Sequence, residues 1–484
     1  MTGRPPEPPG FGGRPHQLWG GRFGGSPAEA LDRLNRSLPV DHRLWPQDVR
    51  AADAWVDALR AAGVLAAAEA RALKDGLEQV TRRLAAGEAA QAPDEDVHTL
   101  VERLLYEAVG TLAGKLNTGR SRNDQVVTDL RLWLLDTLPA VDQEIAALGR
   151  ALCERAGAGM GVVLPGYTHA QRAQPVRWAY VLLAHAWPLA RDRERLAQLA
   201  ARLGELPLGS GAVAGSGVRV DREALARALG FRRVSPNALD VTGDRDFVAE
   251  TAFALALAGT HLSRLAGELL SYASAEYGFV RLADEYCTGS SLLPQKRNPD
   301  VLELARAKAG RLLGDLTGLL AVLKGLPAGY SKDLQEDKAL LFDAVDTVLL
   351  TLPAVRGAVA TLEPVPERMR AALDPSLFAT DLADGLVARG IPFREAHGLV
   401  GRLVKDAEAL GCPITEVPVA AATAVHPVLP ELLAALGDWE ESIERRGTTG
   451  GSSKAAVSAQ LAELHRVFGQ GVGPPRLPTA ALSG

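Results

Sequence analysis

The feature that most constrains this chain is a set of apolar residues that recur every three or four positions over unusually long segments. One segment runs from Pro175 to about Gly204, a second from Asp246 to about Glu276, and a third follows Pro299. The same spacing predicts helices over about 123–155 and 338–362. This period places the apolar side chains on one face of a helix, and several of these helices would be about twice the mean length. The pattern predicts an all-α fold built around a large bundle of long helices.

Strand patterns are scarce, because no run alternates β-branched or aromatic residues with polar ones. Clusters of glycine and proline separate the helical segments. We expect five parts, which are a disordered Pro/Gly-rich lead-in, an N-terminal helical domain, a central helical bundle, a small C-terminal helical domain and a tail. Their predicted ranges are 1–17, 18–116, 117–373, 374–470 and 471–484.

Composition excludes several classes of protein. The 484 residues include 53 Lys and Arg against 58 Asp and Glu, a net charge of −5 without the basic surface that nucleic acid requires. Cys153, Cys287 and Cys412 are too far apart for a disulfide framework or a zinc site. No apolar run is long enough to cross a bilayer, and the first residues lack the apolar core of a secretory signal. We therefore expect a cytoplasmic protein with neither membrane nor nucleic acid as a partner.

Four polar segments between the helices carry more reactive side chains than a connection needs. They cover residues 115–124, 165–175, 288–299 and 323–338. Each also has an ordinary interpretation, as a helix cap, a structural histidine, a solvated loop or a charged helix start. Because binding and catalytic residues concentrate in loops on a rigid scaffold, we expect the chemistry of this chain to lie here.

Two of these segments contain candidates for proton transfer. His169 lies in a cluster of polar side chains, which suits a group that moves protons. Ser290, Lys296 and Asn298 occur at fixed offsets in a loop ahead of a helix, and Glu303 follows in that helix. The alternative for Glu303 is an exposed carboxylate that pairs with a neighbouring arginine on the same helix.

Together the four segments resemble the argininosuccinate lyase family of the fumarase/aspartase superfamily. The mark of the superfamily is the loop Gly-Ser-Ser-x-x-Pro-x-Lys-x-Asn, here residues 289–298. Further stretches resemble argininosuccinate lyases specifically, and they lie at residues 18–23, 121–124, 166–169, 171–175 and 333–338. The resemblance extends from about residue 18 to about residue 468, and collinear motifs over that length are specific where one alone would be weak.

The resemblance implies a fumarase/aspartase-like fold of three domains. It also implies a homotetramer whose central domains form one multi-helix core, with each active site assembled from loops of three subunits. The implied activity is that of a carbon–nitrogen lyase in arginine biosynthesis. It cleaves argininosuccinate reversibly to L-arginine and fumarate through an aci-carboxylate intermediate, without a metal or organic cofactor.

The resemblance also assigns roles to individual residues. Ser290 would exchange the proton at carbon, with Lys296 favouring its alkoxide. His169 would exchange the proton at the leaving nitrogen, and Glu303 would raise its basicity. Which of Ser290 and His169 is the acid or the base in each direction stays open. The residues implied in substrate binding are Asn123, Thr168 and Asn298 at the fumaryl end, Tyr330, Gln335 and Lys338 at the arginine end, Ser37 from the N-terminal domain, and further Arg122, Ser121, Lys332 and Asp96.

The sequence departs from the family pattern near these residues. Asn117 stands where the family usually has histidine, and asparagine can donate a hydrogen bond but cannot carry charge. The other departures are Ala170, Ala238, Gly243, Leu293, Arg297 and Ser331. None of them removes a residue with an implied role in proton transfer.

Two other functions compete with this reading. One is a sister lyase acting on adenylosuccinate, aspartate or malate, which would share the superfamily loop but not the stretches 121–124 and 333–338. The other is a non-catalytic structural relative, like the lens crystallins recruited from this family. A structural protein has no need of the four proton-transfer candidates, so their presence argues against it.

Overall fold

The computed structural model describes residues 28–470. The lead-in 1–17, the motif at residues 18–23 and the tail 471–484 lie outside the described residues. The N-terminal helices are α1 (Glu29–Asn35), α2 (Leu38–Asp41), α3 (Trp45–Ala61), α4 (Ala67–Ala85) and α5 (Val97–Val109). The long helices of the middle of the chain are α6 (Arg122–Ala158), α7 (Trp178–Arg202), α10 (Asp246–Ala273), α11 (Asp300–Leu323) and α12 (Asp337–Ala360).

The remaining helices and the strands are short. Between the long helices lie α8 (Arg222–Leu229) and α9 (Ala238–Gly243), and after them α13 (Pro366–Ala371), α14 (Ala379–Val387), α15 (Phe393–Leu410), α16 (Val419–Val425), α17 (Leu429–Ala434), α18 (Trp439–Glu444) and α19 (Lys454–Gly469). The strands are β1 (Val163–Thr168), β2 (Gln171–Arg177), β3 (Glu205–Leu206), β4 (Arg233–Val234), β5 (Val280–Arg281), β6 (Thr288–Gly289), β7 (Arg297–Asn298) and β8 (Glu363–Pro364). They form two-stranded pairs β1–β2, β3–β4, β5–β8 and β6–β7, of which only β3–β4 is parallel.

The all-α prediction is confirmed, since the structure is 70% helical and its strands are few. The five long helices of the sequence pattern are present. The predicted start of one helix, at Pro175, is wrong. α7 begins at Trp178, and Pro175 lies in β2, opposite Pro165 of β1. Prolines and a glycine interrupt the alternation of this hairpin, so no strand pattern was visible in the sequence.

The five long helices pack side by side and share one core with the N-terminal helices. α19 returns to this bundle and packs on α6 and α7, with the Phe468 side chain fully buried. A second core holds α14 to α17. The predicted domain boundaries stay a prediction. None of the helices between residues 28 and 470 has the length and apolar content needed to cross a membrane.

The docking of α19 on α6 predicts opposite effects for two glycines of α6. A methyl group at Gly149 would overlap the ring of Phe468, whereas one at Gly157 would meet only Leu461, at 3.7 Å. We expect Gly149→Ala to lower the free energy of unfolding by about 1–3 kcal/mol through overpacking. Gly157→Ala should raise it by up to about 1 kcal/mol, because alanine favours a helix. Urea unfolding measures both, and equal effects at the two positions would contradict this packing.

Candidate active site

His169 lies at the tip of the β1–β2 hairpin. Thr168 pairs with Gln171, so the turn consists of His169 and Ala170, with φ of +53° and +59°. Two central residues with positive φ are the geometry of a tight two-residue hairpin turn. The His169 side chain is exposed and makes no hydrogen bond or ion pair with the rest of residues 28–470. The hairpin thus presents a free imidazole at the surface of the chain.

The superfamily loop lies between β6 and β7, which pair Thr288 with Asn298 and Gly289 with Arg297. The Ser290 hydroxyl accepts the backbone N–H groups of Leu292 and Leu293, at 3.3 and 3.0 Å. Lys296 and Glu303 are exposed, and within the described part of the chain their side chains have no partner. The loop therefore offers a serine already held by two N–H donors, with an ammonium group six residues further on.

The start of α6 is a capping box. Ser121 is the N-cap, its hydroxyl accepts from the N–H of Asn123, and its own N–H donates to the Asp124 carboxylate at 2.9 Å. Arg122 donates to the hydroxyl of Thr99 at 3.3 Å and lies 3.5 Å from the Glu102 carboxylate. These contacts place Ser121, Arg122 and Asn123 together at the N-terminal end of the longest helix.

A second group of predicted residues surrounds Glu95. Lys332 lies 3.6 Å from the Glu95 carboxylate, and the backbone N–H of Ser37 donates to the Glu95 carbonyl at 2.9 Å. Gln335 donates to the carbonyl of Asn35 at 3.2 Å. The Ser37 hydroxyl donates to Asp41. The N-terminal helices and the segment just before α12 thus bring together residues that are about 300 positions apart.

Lys338 belongs to a buried charge group at the start of α12. Its ammonium donates to the Asp337 carboxylate at 2.8 Å, and Arg245 of the segment before α10 donates to the other oxygen. Burial alone would raise the pKa of Asp337, but the Lys338 and Arg245 charges outweigh it and hold that pKa below its ordinary value. Burial raises the pKa of the neighbouring Tyr330 phenol.

The predicted residues therefore fall into three regions of one chain. The Glu95 group and the start of α6 adjoin each other through Asp96, whose carboxylate lies 4.0 Å from Arg122. The His169 hairpin tip is one further region and the Ser290 loop is another. Among residues 28–470, no hydrogen bond or ion pair joins these three regions.

Some residues around the site were missed by the sequence patterns. The buried Glu102 carboxylate accepts from the Asn117 amide at 2.6 Å, and the carbonyl oxygen of that amide accepts from Arg120 at 3.1 Å. Asn117 thus links a carboxylate and a guanidinium, as donor to the first and acceptor from the second. A buried glutamate within a helix looks like any other helical acid in the sequence, so no pattern could have identified Glu102.

Within the described residues, the side chains with spacing suited to a metal ion are Asp48, His98 and Asp129. His98 Nδ1 lies 3.1 Å from Asp48 and 3.4 Å from Asp129. Burial and the Asp48 charge raise the pKa of Asp129 well above its ordinary value. The cluster ties α3, α5 and α6 together behind the start of α6.

The buried charge group at the start of α12 predicts a pH-dependent contribution to stability. Replacing Asp337 by Asn leaves two buried cations without their carboxylate, and we expect a loss of about 3 kcal/mol in the free energy of unfolding. Asp346 lies on the same helix as Asp337 and forms an exposed ion pair with Arg43. Asp346→Asn removes that pair and should lower the free energy of unfolding by less than about 1 kcal/mol. Urea unfolding at pH 7 measures the loss of stability in each of the two variants.

The sign of the pH dependence follows from the lowered pKa. Because Asp337 has a folded pKa below its ordinary value of 3.8, its contribution is present above that value and is lost as the pH falls through the folded pKa. The stability gap between the wild type and Asp337→Asn should therefore narrow on acidification below about pH 4. A gap that stays constant down to acid unfolding would contradict the assignment.

Comparison with known proteins places this chain among the lyases. A lyase family model matches residues 21–314, and the model of the argininosuccinate lyase C-terminal region matches residues 376–444. The argininosuccinate lyase of Roseiflexus sp. (strain RS-1) is 53% identical over 93% of this chain and 99% of its own length. That of Herpetosiphon aurantiacus is 52% identical over 94% of this chain and 100% of its own length.

Solved structures give the same result for the fold. EDDS lyase in complex with formate has a TM-score of 0.79 at 30% identity, covering 88% of this chain and 86% of that one. A class II fumarase from Schistosoma mansoni has a TM-score of 0.73 at 16% identity, covering 85% of this chain and 92% of that one, and shares the fold. With close sequence relatives over nearly its whole length and the fold of the fumarate-releasing lyases, this chain belongs to the argininosuccinate lyase family of the fumarase/aspartase superfamily.

Proposed function

We propose that this protein is an argininosuccinate lyase that cleaves argininosuccinate reversibly to L-arginine and fumarate in arginine biosynthesis. The observation that carries this proposal is similarity at about 50% identity to argininosuccinate lyases over nearly the whole chain. The proton-transfer candidates are all present and lie in accessible segments. We propose that the reaction needs no metal or organic cofactor.

The chemistry requires a base for a weakly acidic proton on the carbon next to a carboxylate. Ser290 suits this role because the N–H groups of Leu292 and Leu293 already point at its oxygen, and they would stabilise the alkoxide. Lys296 would add a positive charge as the loop closes over the substrate. Positioned N–H donors and cations, among them Asn298, would also stabilise the aci-carboxylate that forms.

The leaving nitrogen needs a proton so that arginine can depart. His169 is an exposed imidazole, and imidazole is the side chain that most often transfers protons in catalysis. Glu303, equally exposed, would hold the other ring nitrogen and raise its basicity. These roles require His169 and Glu303 to meet, and no contact within residues 28–470 brings them together.

The substrate carries three carboxylates, an amine and a guanidinium, so its site must offer both signs of charge. We place the fumaryl half against Ser121, Arg122, Asn123, Thr168 and Asn298. We place the arginine half against Ser37, Tyr330, Lys332, Gln335 and Lys338. Glu95 lies beside Lys332 of the second set, and Asp96 lies beside Arg122 of the first. Their carboxylates would supply negative charge for the guanidinium.

The separation of the three regions supports active sites shared between subunits. The bundle keeps large apolar side chains at least half exposed on its long helices, namely Phe253, Leu304, Leu313, Leu320 and Leu350. A surface of this kind favours association with further copies, and the structural relatives fit a multimeric assembly. We propose a homotetramer in which the hairpin of one subunit and the loop of another complete the site at the start of α6 of a third.

The activity is tested by following the ultraviolet absorbance of fumarate. Purified protein should release fumarate from argininosuccinate and not from adenylosuccinate, aspartate or malate. Ser290→Ala should lower kcat by about 10²–10⁴-fold, because a proton-transfer group is lost. Ser271→Ala is the matched control and should retain full activity. Within the described part of the chain, that exposed hydroxyl bonds only a carbonyl of its own helix.

The other outcomes of this assay separate the alternatives. Release from another adduct would keep the fold and the mechanism but assign the protein to a sister lyase. No release from any substrate by an assembled protein would favour a non-catalytic relative.

Shared sites predict complementation between inactive variants. Mixing Ser290→Ala with His169→Asn subunits should restore part of the activity, because some sites of a hybrid then receive both groups intact. Each variant mixed with itself is the control. Failure to recover activity, after subunit exchange has been verified by native mass spectrometry, would contradict sites built from several chains.

A further inference from the structure

A glycine-rich loop lies against the start of α6, and none of the roles above uses it. This glycine loop comprises residues 209–217, Gly-Ser-Gly-Ala-Val-Ala-Gly-Ser-Gly. Its backbone has φ of +90° at Gly209, +63° at Gly211 and +88° at Gly215, values that other residues rarely adopt. Ala212 and Val213 are exposed at its tip. The loop therefore has a defined shape and an accessible face.

One buried carboxylate joins the glycine loop to α6. Asp124 Oδ2 accepts the N–H groups of Gly209 and Gly211, at 3.0 and 2.7 Å, and its Oδ1 accepts the N–H of Ser121. The Asp124 side chain is fully buried. Gly209 and Gly211 are 85 and 87 residues from Asp124 in sequence. Their hydrogen bonds, the tie between the loop and α6, are therefore tertiary contacts and not part of a local helix cap.

The tie determines the surroundings of Asn123. The Asn123 amide donates to the carbonyl of Ala212 at 3.2 Å, one residue beyond the Gly211 N–H that Asp124 holds. Gly119 lies so close to the loop that a Cβ there would be 2.6 Å from the Ser216 hydroxyl. Asn123 is thus fixed between its own helix and the glycine loop, and any displacement of the loop would turn its amide.

A carboxylate is suited to this tie because it accepts several hydrogen bonds and donates none. Burial raises the pKa of Asp124 to about 6, with the three backbone hydrogen bonds and the Arg120 charge acting in the opposite direction. The group is therefore ionised at neutral pH. The other charged group nearby is Arg222 of α8, which donates to carbonyls of Leu206 and Leu208 at the base of the loop.

We propose that Asp124 is a positioning residue that fastens the glycine loop to the start of α6 and thereby orients Asn123 toward the fumaryl carboxylate of the substrate. The inference rests on the proposed function, which places the fumaryl half at Asn123. Asp124 should therefore affect the binding of the fumaryl half only, because we place the arginine half against the Glu95 group.

The test compares product inhibition by fumarate with product inhibition by arginine. Asp124→Asn turns an amide N–H toward backbone N–H groups and loses acceptors. We expect the Ki for fumarate and the KM for argininosuccinate to rise about tenfold or more, the equivalent of about one hydrogen bond. The Ki for arginine should stay within about twofold.

Two further variants complete the design. Gly211→Ala alters the loop side of the tie, since its Cβ would lie 2.9 Å from the Gly215 carbonyl at a φ of +63°, and it should reproduce the selective loss of fumarate affinity. Asp221→Asn is the matched control and should leave both Ki values unchanged. Asp221 is an exposed N-cap whose side chain, among residues 28–470, accepts only the Ala224 N–H, at 2.9 Å.

Equal increases of both Ki values, or unchanged values in folded Asp124→Asn, would overturn the proposal. If Asp124→Asn fails to fold by circular dichroism, Gly211→Ala decides by the same criterion. Should the wild type release no fumarate from argininosuccinate, the proposed function fails separately. Titration calorimetry with fumarate then still tests the tie, since weaker binding by the variants supports it and equal binding refutes it.

Discussion

Covering the apolar faces of five long helices is the constraint on which the rest of this structure depends. The helices α6, α7, α10, α11 and α12 each carry an apolar face, and these faces share one core with the N-terminal helices and α19. Their length carries the connecting loops to the ends of the bundle, where polar side chains reach solvent. Apolar side chains such as Leu304 and Leu313 remain exposed on the same helices, so burial is incomplete within a single chain.

The start of α6 shows how the scaffold and the chemistry are connected. Ser121 caps the helix, and of its neighbours Arg122 contacts Thr99 of α5 and Asn123 contacts the glycine loop. Asp124 satisfies the cap and also holds a loop from a different part of the chain. A local helix signal and a tertiary contact therefore share one carboxylate, and the substitution of this group would affect both.

Much of the fold and part of the candidate site could be predicted from sequence. A 3.6-residue period that persists over many turns predicts the long helices. The collinear motifs indicate the family, and the sequence relatives confirm it. The β1–β2 hairpin was missed, because Pro165 and Pro175 hide its alternation, although it is the element that presents His169. The roles of the site residues stay predictions, since the regions that carry them lie apart in one chain.

The sequence by itself determined the helical periods, the caps and the kinds of reactive side chain, because these depend on residues within a few positions of one another. Only the tertiary structure decided which distant groups meet: Asn117 with Glu102, Arg245 with Asp337, and Asp124 with the glycine loop. The physical reason is that a buried charge or amide takes its partner from whichever element packs against it. That partner is set by the packing of whole helices and leaves no local pattern in the chain.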